Sequence, residues 1–412
     1  MAAGCQPRGT LVADSAGNLY GTTAACGVGS GTVFKLTRPV PPKKQWIETT
    51  LYQFTGGTSS SGEAGFPRGK LVFDAAGNLY GVAEGGANGF GAVFELSPPA
   101  TEGGSWTESL LYSFKGGRTD GALVTLPWSP EGMPAEGVVF DGSGNLYGVM
   151  PFGGSGLQLF GYCQYGCGVV YKLSPPTTVG GAWTESVLHA FKVAQGAVYP
   201  VGTPIFDAKG NLYGATEELS ERDHPIGGAA YRLTAPATEG GAWIYRLLYS
   251  FTPGDDPESS LTFHNSGRLY GTTVSGGSSS MGKVFELVPP AVAGGAWTEN
   301  VLHSFGDGSD GARPLAEVTF DKAGNLYGTT SVGGSGTTDF RCESLGCGAV
   351  YELSPSTGGW TETVLHSFAP PTPGTDGSEA IGGLVLWKNG VLFGTTADGG
   401  PGNQGVVYGV VP

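Results

Sequence analysis

The sequence predicts an all-β fold, a seven-bladed β-propeller built from four-stranded blades. Three observations lead there: a motif that recurs seven times, a composition that disfavours long helices, and strand-like alternation at a fixed place in each repeat. The segment FDAAGNLYG at 73–81 returns as FDGSGNLYG (140–148), FDAKGNLYG (206–214) and FDKAGNLYG (320–328). Degenerate copies are ADSAGNLYG (13–21), FHNSGRLYG (263–271) and LWKNGVLFG (386–394). The ring of each LYG element, Tyr20, Tyr80, Tyr147, Tyr213, Tyr270, Tyr327 and finally Phe393, follows its predecessor by 57 to 67 residues. Among the 412 residues, 75 Gly and 28 Pro interrupt any would-be helix every few positions.

Each copy reads as four short strands. The first is apolar, such as Leu71-Val72-Phe73, and ends in a D-x-x-G-N turn whose Asp and Gly suit a tight hairpin. The second is the LYG strand. The third is GTVFKL (31–36) or GAVFEL (91–96), followed by a polar connector such as PPATEGG (98–104). The fourth is WTESLLYSF (106–114), whose alternation predicts Trp106, Glu108, Leu110, Tyr112 and Phe114 on one face. Units of this kind and length mark a propeller. A solenoid would leave two sheet ends needing polar caps, and none is visible in the sequence. The expected blades are 8–55, 68–115, 136–192, 203–252, 259–306, 316–368 and 382–412, all in one domain. The fourth-strand motif occurs only six times, at Trp46, Trp106, Trp183, Trp243, Trp297 and Trp360, and the last copy stops after GVVYGVV (405–411). The last blade therefore has three strands or has lost a fourth at one end of the chain, and the second is the expectation.

The run D-x-x-G-N-L-Y-G-T-T, then Gly-Gly, then G-T-V-F-x-L resembles the tandem "GloVer" repeats of secreted bacterial proteins, best at 14–36, 74–96, 264–287 and 321–353. The resemblance spans essentially the whole chain. It implies propeller-like repeats and an extracellular setting, and it implies nothing catalytic.

Twenty-one Lys+Arg against 35 Asp+Glu leave a net charge of −14, which excludes a nucleic-acid binder working through phosphate neutralisation. No apolar run is long enough to span a bilayer as a helix. Six cysteines are even in number. Cys163 and Cys167 (YCQYGCGVV) and Cys342 and Cys347 (RCESLGCGAV) precede the third strand of blades three and six, without the His or spacing of a zinc site. They read as two small disulfide loops stapling insertions, with Cys5 and Cys26 as a third bridge. Disulfides point to an oxidising compartment, extracellular or periplasmic, although MAAGCQPRGT is not a signal peptide.

The loops between strands two and three, and between strand four and the next blade, vary most. Rigid scaffolds generally grip ligands with such loops. The insertion 151–168 carries Phe152, Phe160, Tyr162 and Tyr165 among glycines, and Trp128 lies in the long loop 115–136. Flat rings of this kind suit the faces of sugars, unless they pack the loop on its own blade. Asp120, Asp310 and Asp376 recur in DG turns after strand four, with Asp255-Asp256 in the same place. They read first as turn residues and second as carboxylates for Ca²⁺ or for acid–base work. Where the first strand enters, Arg68, Lys70, Glu136, Glu258 and Glu317 replace small residues. Glu136 and Glu317 with Arg68 are the candidate catalytic set for a hydrolase or lyase, set against simple salt bridging. His189, His303 and His366 fill the slot held elsewhere by Tyr52, Tyr112 and Tyr249 and read as packing residues. His224 sits among Glu217, Glu218, Glu221 and Asp223 in what reads as a solvated acidic loop. The function expected is binding of a glycan or other surface polymer, by a monomer needing no cofactor beyond an optional Ca²⁺. A polysaccharide-active enzyme and a cell-surface protein scaffold are the alternatives.

Overall fold

The local unit of the structure is the D-x-x-G-N-L-Y turn, and its aspartate organises it. Asp74 Oδ1 accepts hydrogen bonds from the Ala76 and Asn78 backbone N–H groups at 2.8 and 2.9 Å. Its Oδ2 accepts from Asn78 Nδ2 at 2.8 Å and from the Tyr80 hydroxyl at 3.1 Å. The same clamp recurs at Asp14, Asp141, Asp207 and Asp321. These bonds favour the charged carboxylate, and all five are held below the ordinary range despite the opposing effect of partial burial. Gly77 turns the corner at φ 86°, a conformation costly for any residue with a Cβ. In the fifth copy His264 and Arg268 replace the Asp and Asn, and Tyr270 donates instead to Glu286 at 2.5 Å, which also pairs with Arg268 at 2.7 Å.

The computed structural model describes residues 5–412 except 25–29, 41–44, 57–62, 102, 124–136, 156–162, 179, 220–226, 239, 265–266, 293, 307, 335–341, 343–344 and 371–375. The fold is an all-β seven-bladed propeller. Six blades are four-stranded antiparallel sheets whose strands neighbour one another in chain order, and the last sheet has three strands. The chain divides into two compact units, Met1–Ala190 and Phe191–Pro412. The first holds the sheets at 12–53, 64–113 and 139–190, and the second those at 200–250, 262–304, 319–367 and 385–410.

Within each unit the core lies between consecutive blades. The phenylalanine that follows each fourth strand packs edge-on or tilted against the aromatic of a later third strand. In the first unit these pairs are Phe54–Phe94 and Phe114–Tyr171, with centroids 5.1 and 4.9 Å apart. In the second they are Phe191–Tyr231, Phe251–Phe285, Phe305–Tyr351 and Phe368–Tyr408. A second set joins the LYG tyrosine to the next first-strand phenylalanine: Tyr20–Phe73, Tyr80–Phe140, Tyr213–Phe263 and Tyr270–Phe320. The glycine of LYG makes room for the third-strand ring, since a Cβ on Gly81 would stand 2.7 Å from Phe94 Cζ.

The fourth strand departs from simple alternation. A bulge lets Val93 face Tyr112 while Phe94 faces Leu110, and the shift recurs in the other five four-stranded blades. The extra residue breaks the period of two. Leu110 is consequently exposed, whereas Leu111 packs on the core, so the five residues expected on one face do not share it.

Because Phe114 is fully buried against Tyr171 and Tyr112, Phe114→Ala should lower unfolding stability by about 3–5 kcal/mol. Urea denaturation followed by tryptophan fluorescence measures this. A loss under about 1 kcal/mol would remove the inter-blade ring from its place as the main tie.

Candidate functional site

One stapled junction lies between the second and third blades, after the fourth strand Thr107–Ser113. Asp120 is 3% exposed, and its Oδ2 accepts from the Tyr112 hydroxyl at 2.9 Å and the Lys115 N–H at 2.8 Å. Its Oδ1 accepts from the Gly121 N–H at 2.7 Å. The next two residues, Gly121–Ala122, pair with Phe152–Gly153, joining the exit loop of one blade to the insertion of the next. The Cys163–Cys167 disulfide closes that insertion, and the Gly153 N–H donates to the Tyr165 carbonyl at 2.7 Å. Phe152 is 4% exposed and packs under the insertion with its centroid 6.2 Å from that of Tyr165, which is 42% exposed. Of these two rings, Tyr165 is the one that faces solvent. Trp128, Phe160 and Tyr162 lie outside the described residues.

A related arrangement occurs between the fifth and sixth blades. Asp310 meets His303 Nε2 at 3.0 Å and accepts from the Gly306 N–H. Ala312 bridges to Val332, Gly333 bridges to Cys347, and Cys342–Cys347 closes the insertion. Between the sixth and seventh blades Asp376 meets His366 Nε2 at 3.2 Å and accepts from the Ala369 and Gly377 N–H groups. Asp256 Oδ1 accepts from the Glu218 N–H at 2.7 Å, and burial pushes its carboxyl up to about 6. Each of these acids thus anchors a loop. Tyr112, His303 and His366 do more than fill a packing slot, because each bonds the acid of its own exit loop. The sequence signal was a ring and an aspartate 7 to 10 residues apart in three repeats.

The glutamate of the W-T-E motif, which looks like scaffold, comes close to these acids. Burial first, and Asp120 second, push Glu185 up to about 7, while Lys115 opposes the shift. Burial and Asp310 do the same to Glu362, also to about 7. Burial and Glu63 raise Glu108, and Glu63, Glu108, Tyr52 and Leu110 border a cavity of about 180 Å³. In the fifth blade Lys283 answers the charge directly, at 2.9 Å from Asp255 and 2.7 Å from Glu299. No group of three or more His, Cys, Asp or Glu side chains suited to a metal occurs among the described residues.

In the proposed catalytic set, Arg68 is ion-paired with Glu84 through both Nε and Nη2. The sequence reading missed Glu84. Glu317 is half-buried in the second unit, while Glu136 lies outside the described residues. Cys5 is disulfide-bonded, whereas Cys26 and His224 lie outside the described residues. No helix among the described residues is long and apolar enough to cross a membrane.

Sheets, turns and stapled junctions together define a repeat-built β-propeller. The chain belongs to the Gloeobacter/Verrucomicrobia repeat family, which matches residues 133–408. No curated protein matches the sequence. Among solved structures it is similar to the polysaccharide lyase Uly1, with 10% identity, a TM-score of 0.50, and coverage of 100% of this chain and 91% of that one. It is also similar to a protein of unknown function from Dyadobacter fermentans, with 13% identity, a TM-score of 0.45, and coverage of 84% and 93%. A likeness at these identities shows the fold alone.

Glu185 generates a pH prediction. Its carboxyl titrates at about 7 in the folded chain, against roughly 4.3 when unfolded. A raised folded value stabilises the fold at low pH, and that contribution is lost as pH rises from about 4 through 7. The turn aspartates act in the opposite direction, but only as pH falls below about 4. The melting temperature should therefore decline from pH 5 to pH 8, and Glu185→Gln should flatten the decline. An unchanged slope in that variant would remove Glu185 from the account.

Proposed function

We propose that this protein binds a glycan or other surface polymer outside the cytoplasm, using the loops at the junction of the second and third blades. The observation that carries this reading is Tyr165, an exposed ring on an insertion held by a disulfide and by strand pairing to the neighbouring exit loop. A flat ring carried on a stapled backbone stacks on a sugar face at a smaller cost in loop ordering, which is how preorganised sites raise affinity. Trp128, Phe160 and Tyr162 belong to the same loops in sequence and are further candidates for stacking. Disulfides at Cys5, Cys163–Cys167 and Cys342–Cys347 support an extracellular or periplasmic setting.

A second reading, a polysaccharide hydrolase or lyase, is favoured by one observation. Burial and the neighbouring Asp120 push the Glu185 carboxyl up to about 7, and a carboxyl that holds its proton near neutral pH suits a general acid. Arg68 and Glu317, with Glu136, are the other candidates for that chemistry.

A panel of neutral and acidic oligosaccharides, scored in the same wells for thermal shift and for product, separates the two. Binding without turnover, weakened about tenfold in Tyr165→Ala, is the expected outcome. Product formation abolished by Glu185→Gln or Glu317→Gln would establish the enzyme instead. A flat response to every glycan would remove both readings in favour of a protein partner.

A further inference from the structure

The fourth blade places two arginines side by side. Arg232 and Arg246 are directly paired residues on neighbouring strands, and Arg232 in turn faces Tyr213. The equivalent cross-strand pairs in the other four-stranded blades are Lys35–Thr49, Glu95–Ser109, Lys172–Ser186, Glu286–Asn300 and Glu352–Thr363. None of these sets like charges together, and like charges directly opposite one another oppose sheet formation. The repeat therefore does not demand the arginine pair, and the chain tolerates it at a cost.

Arg232 meets the Tyr213 hydroxyl, which bears no charge to offset the pair. Among the described residues no carboxylate lies within ion-pair distance of either guanidinium. Asp207, which takes the Tyr213 hydroxyl at 3.2 Å, is already engaged by Asn211 in its turn. Among the described residues Arg232 Nε is buried without a hydrogen-bond partner, and Arg246 Nη2 donates to the Gly294 and Gly295 carbonyls, at 2.7 and 3.3 Å. Both side chains border a cavity of about 290 Å³ whose other walls include Tyr213, Trp297, Pro289 and Pro290. That volume is at the lower end of ligand sites, roughly 300–1,000 Å³, and suits one sugar unit. Two guanidinium forks beside an indole and two proline rings offer charge-assisted bonds to an oxyanion and apolar walls for a ring.

We infer that this cavity between the fourth and fifth blades binds a carboxylate-bearing sugar, a uronate unit of an acidic polysaccharide, with Arg232 and Arg246 holding the carboxylate and Trp297 the pyranose face. The inference deepens the glycan-binding reading and rests on it for the ligand class. It places the acidic unit in the second compact unit, whereas Tyr165 belongs to the first. In a chain of net charge −14 it also supplies a local cationic point at which an acidic polymer can dock.

The test titrates the protein calorimetrically with oligogalacturonate, with a neutral galacto-oligosaccharide and with inorganic phosphate. Wild type should bind oligogalacturonate, more weakly as salt rises. Arg232→Gln, Arg246→Ser and Trp297→Ala should each weaken that binding at least tenfold. Arg246→Ser installs the residue found at the equivalent places Ser109 and Ser186 and relieves the repulsion, so it should melt no lower than wild type. Uronate affinity unchanged in both arginine variants, or a lowered melting temperature in Arg246→Ser without loss of binding, would assign the pair a structural role and overturn the inference. Phosphate competing as well as the uronate oligomer would overturn the sugar assignment. If the neutral oligosaccharide binds through Tyr165 while uronate binding ignores the arginines, this inference falls and the glycan reading stands. If neither oligosaccharide binds, both fall.

Discussion

The contact on which the rest of the structure depends is the ring of one blade set against the ring of a neighbour. Six phenylalanines that follow fourth strands pack on third-strand aromatics, from Phe54 on Phe94 to Phe368 on Tyr408. A single repeat unit, apolar on the faces it presents to its neighbours, cannot bury those faces alone. Its faces must be covered by neighbours, and each core cluster indeed draws residues from two consecutive blades. Edge-on geometry adds about 0.5–1.5 kcal/mol per pair beyond burial, so the repeated contact is worth far more than any one turn.

That constraint explains features that look arbitrary along the chain. The LYG glycine is required because the third-strand ring lies across it. The fourth-strand bulge follows the same third-strand ring and changes which side chains reach the interior beyond it. The turn aspartate holds the tyrosine hydroxyl, which positions the ring that meets the next first strand, as Tyr80 meets Phe140. Turn, strand and inter-blade contact are thus one linked device. The fifth copy shows that the tyrosine hydroxyl needs an acceptor more than it needs that aspartate, since Glu286 takes over.

Departures from this device are electrostatic. The exit-loop acids are consumed by loop anchoring, and this leaves the W-T-E glutamates buried beside charges they cannot escape. Lys283 relieves that strain in one place, while Glu185 and Glu362 relieve it by holding a proton near neutral pH. The arginine pair in the fourth blade is a departure of opposite sign. Charges that the scaffold leaves close together thus mark positions that the repeat itself does not require.

The sequence by itself determined the blade count, the hairpin turns and the two short disulfides. All of these are written in neighbouring residues or in a period along the chain. It also brought forward Tyr165, Asp120 and Arg68 by their residue type and place. Only the tertiary structure decided that Phe152 is covered while Tyr165 is not, that Arg68 already has Glu84, and that His303 serves Asp310 as Tyr112 serves Asp120. It alone brought Glu185 to Asp120 and Arg232 to Arg246. Periodicity reports which residues share a repeat. Strand register and the packing of one sheet on the next decide which of them meet, and the interactions that shift a proton or leave a charge unanswered act over that distance in space.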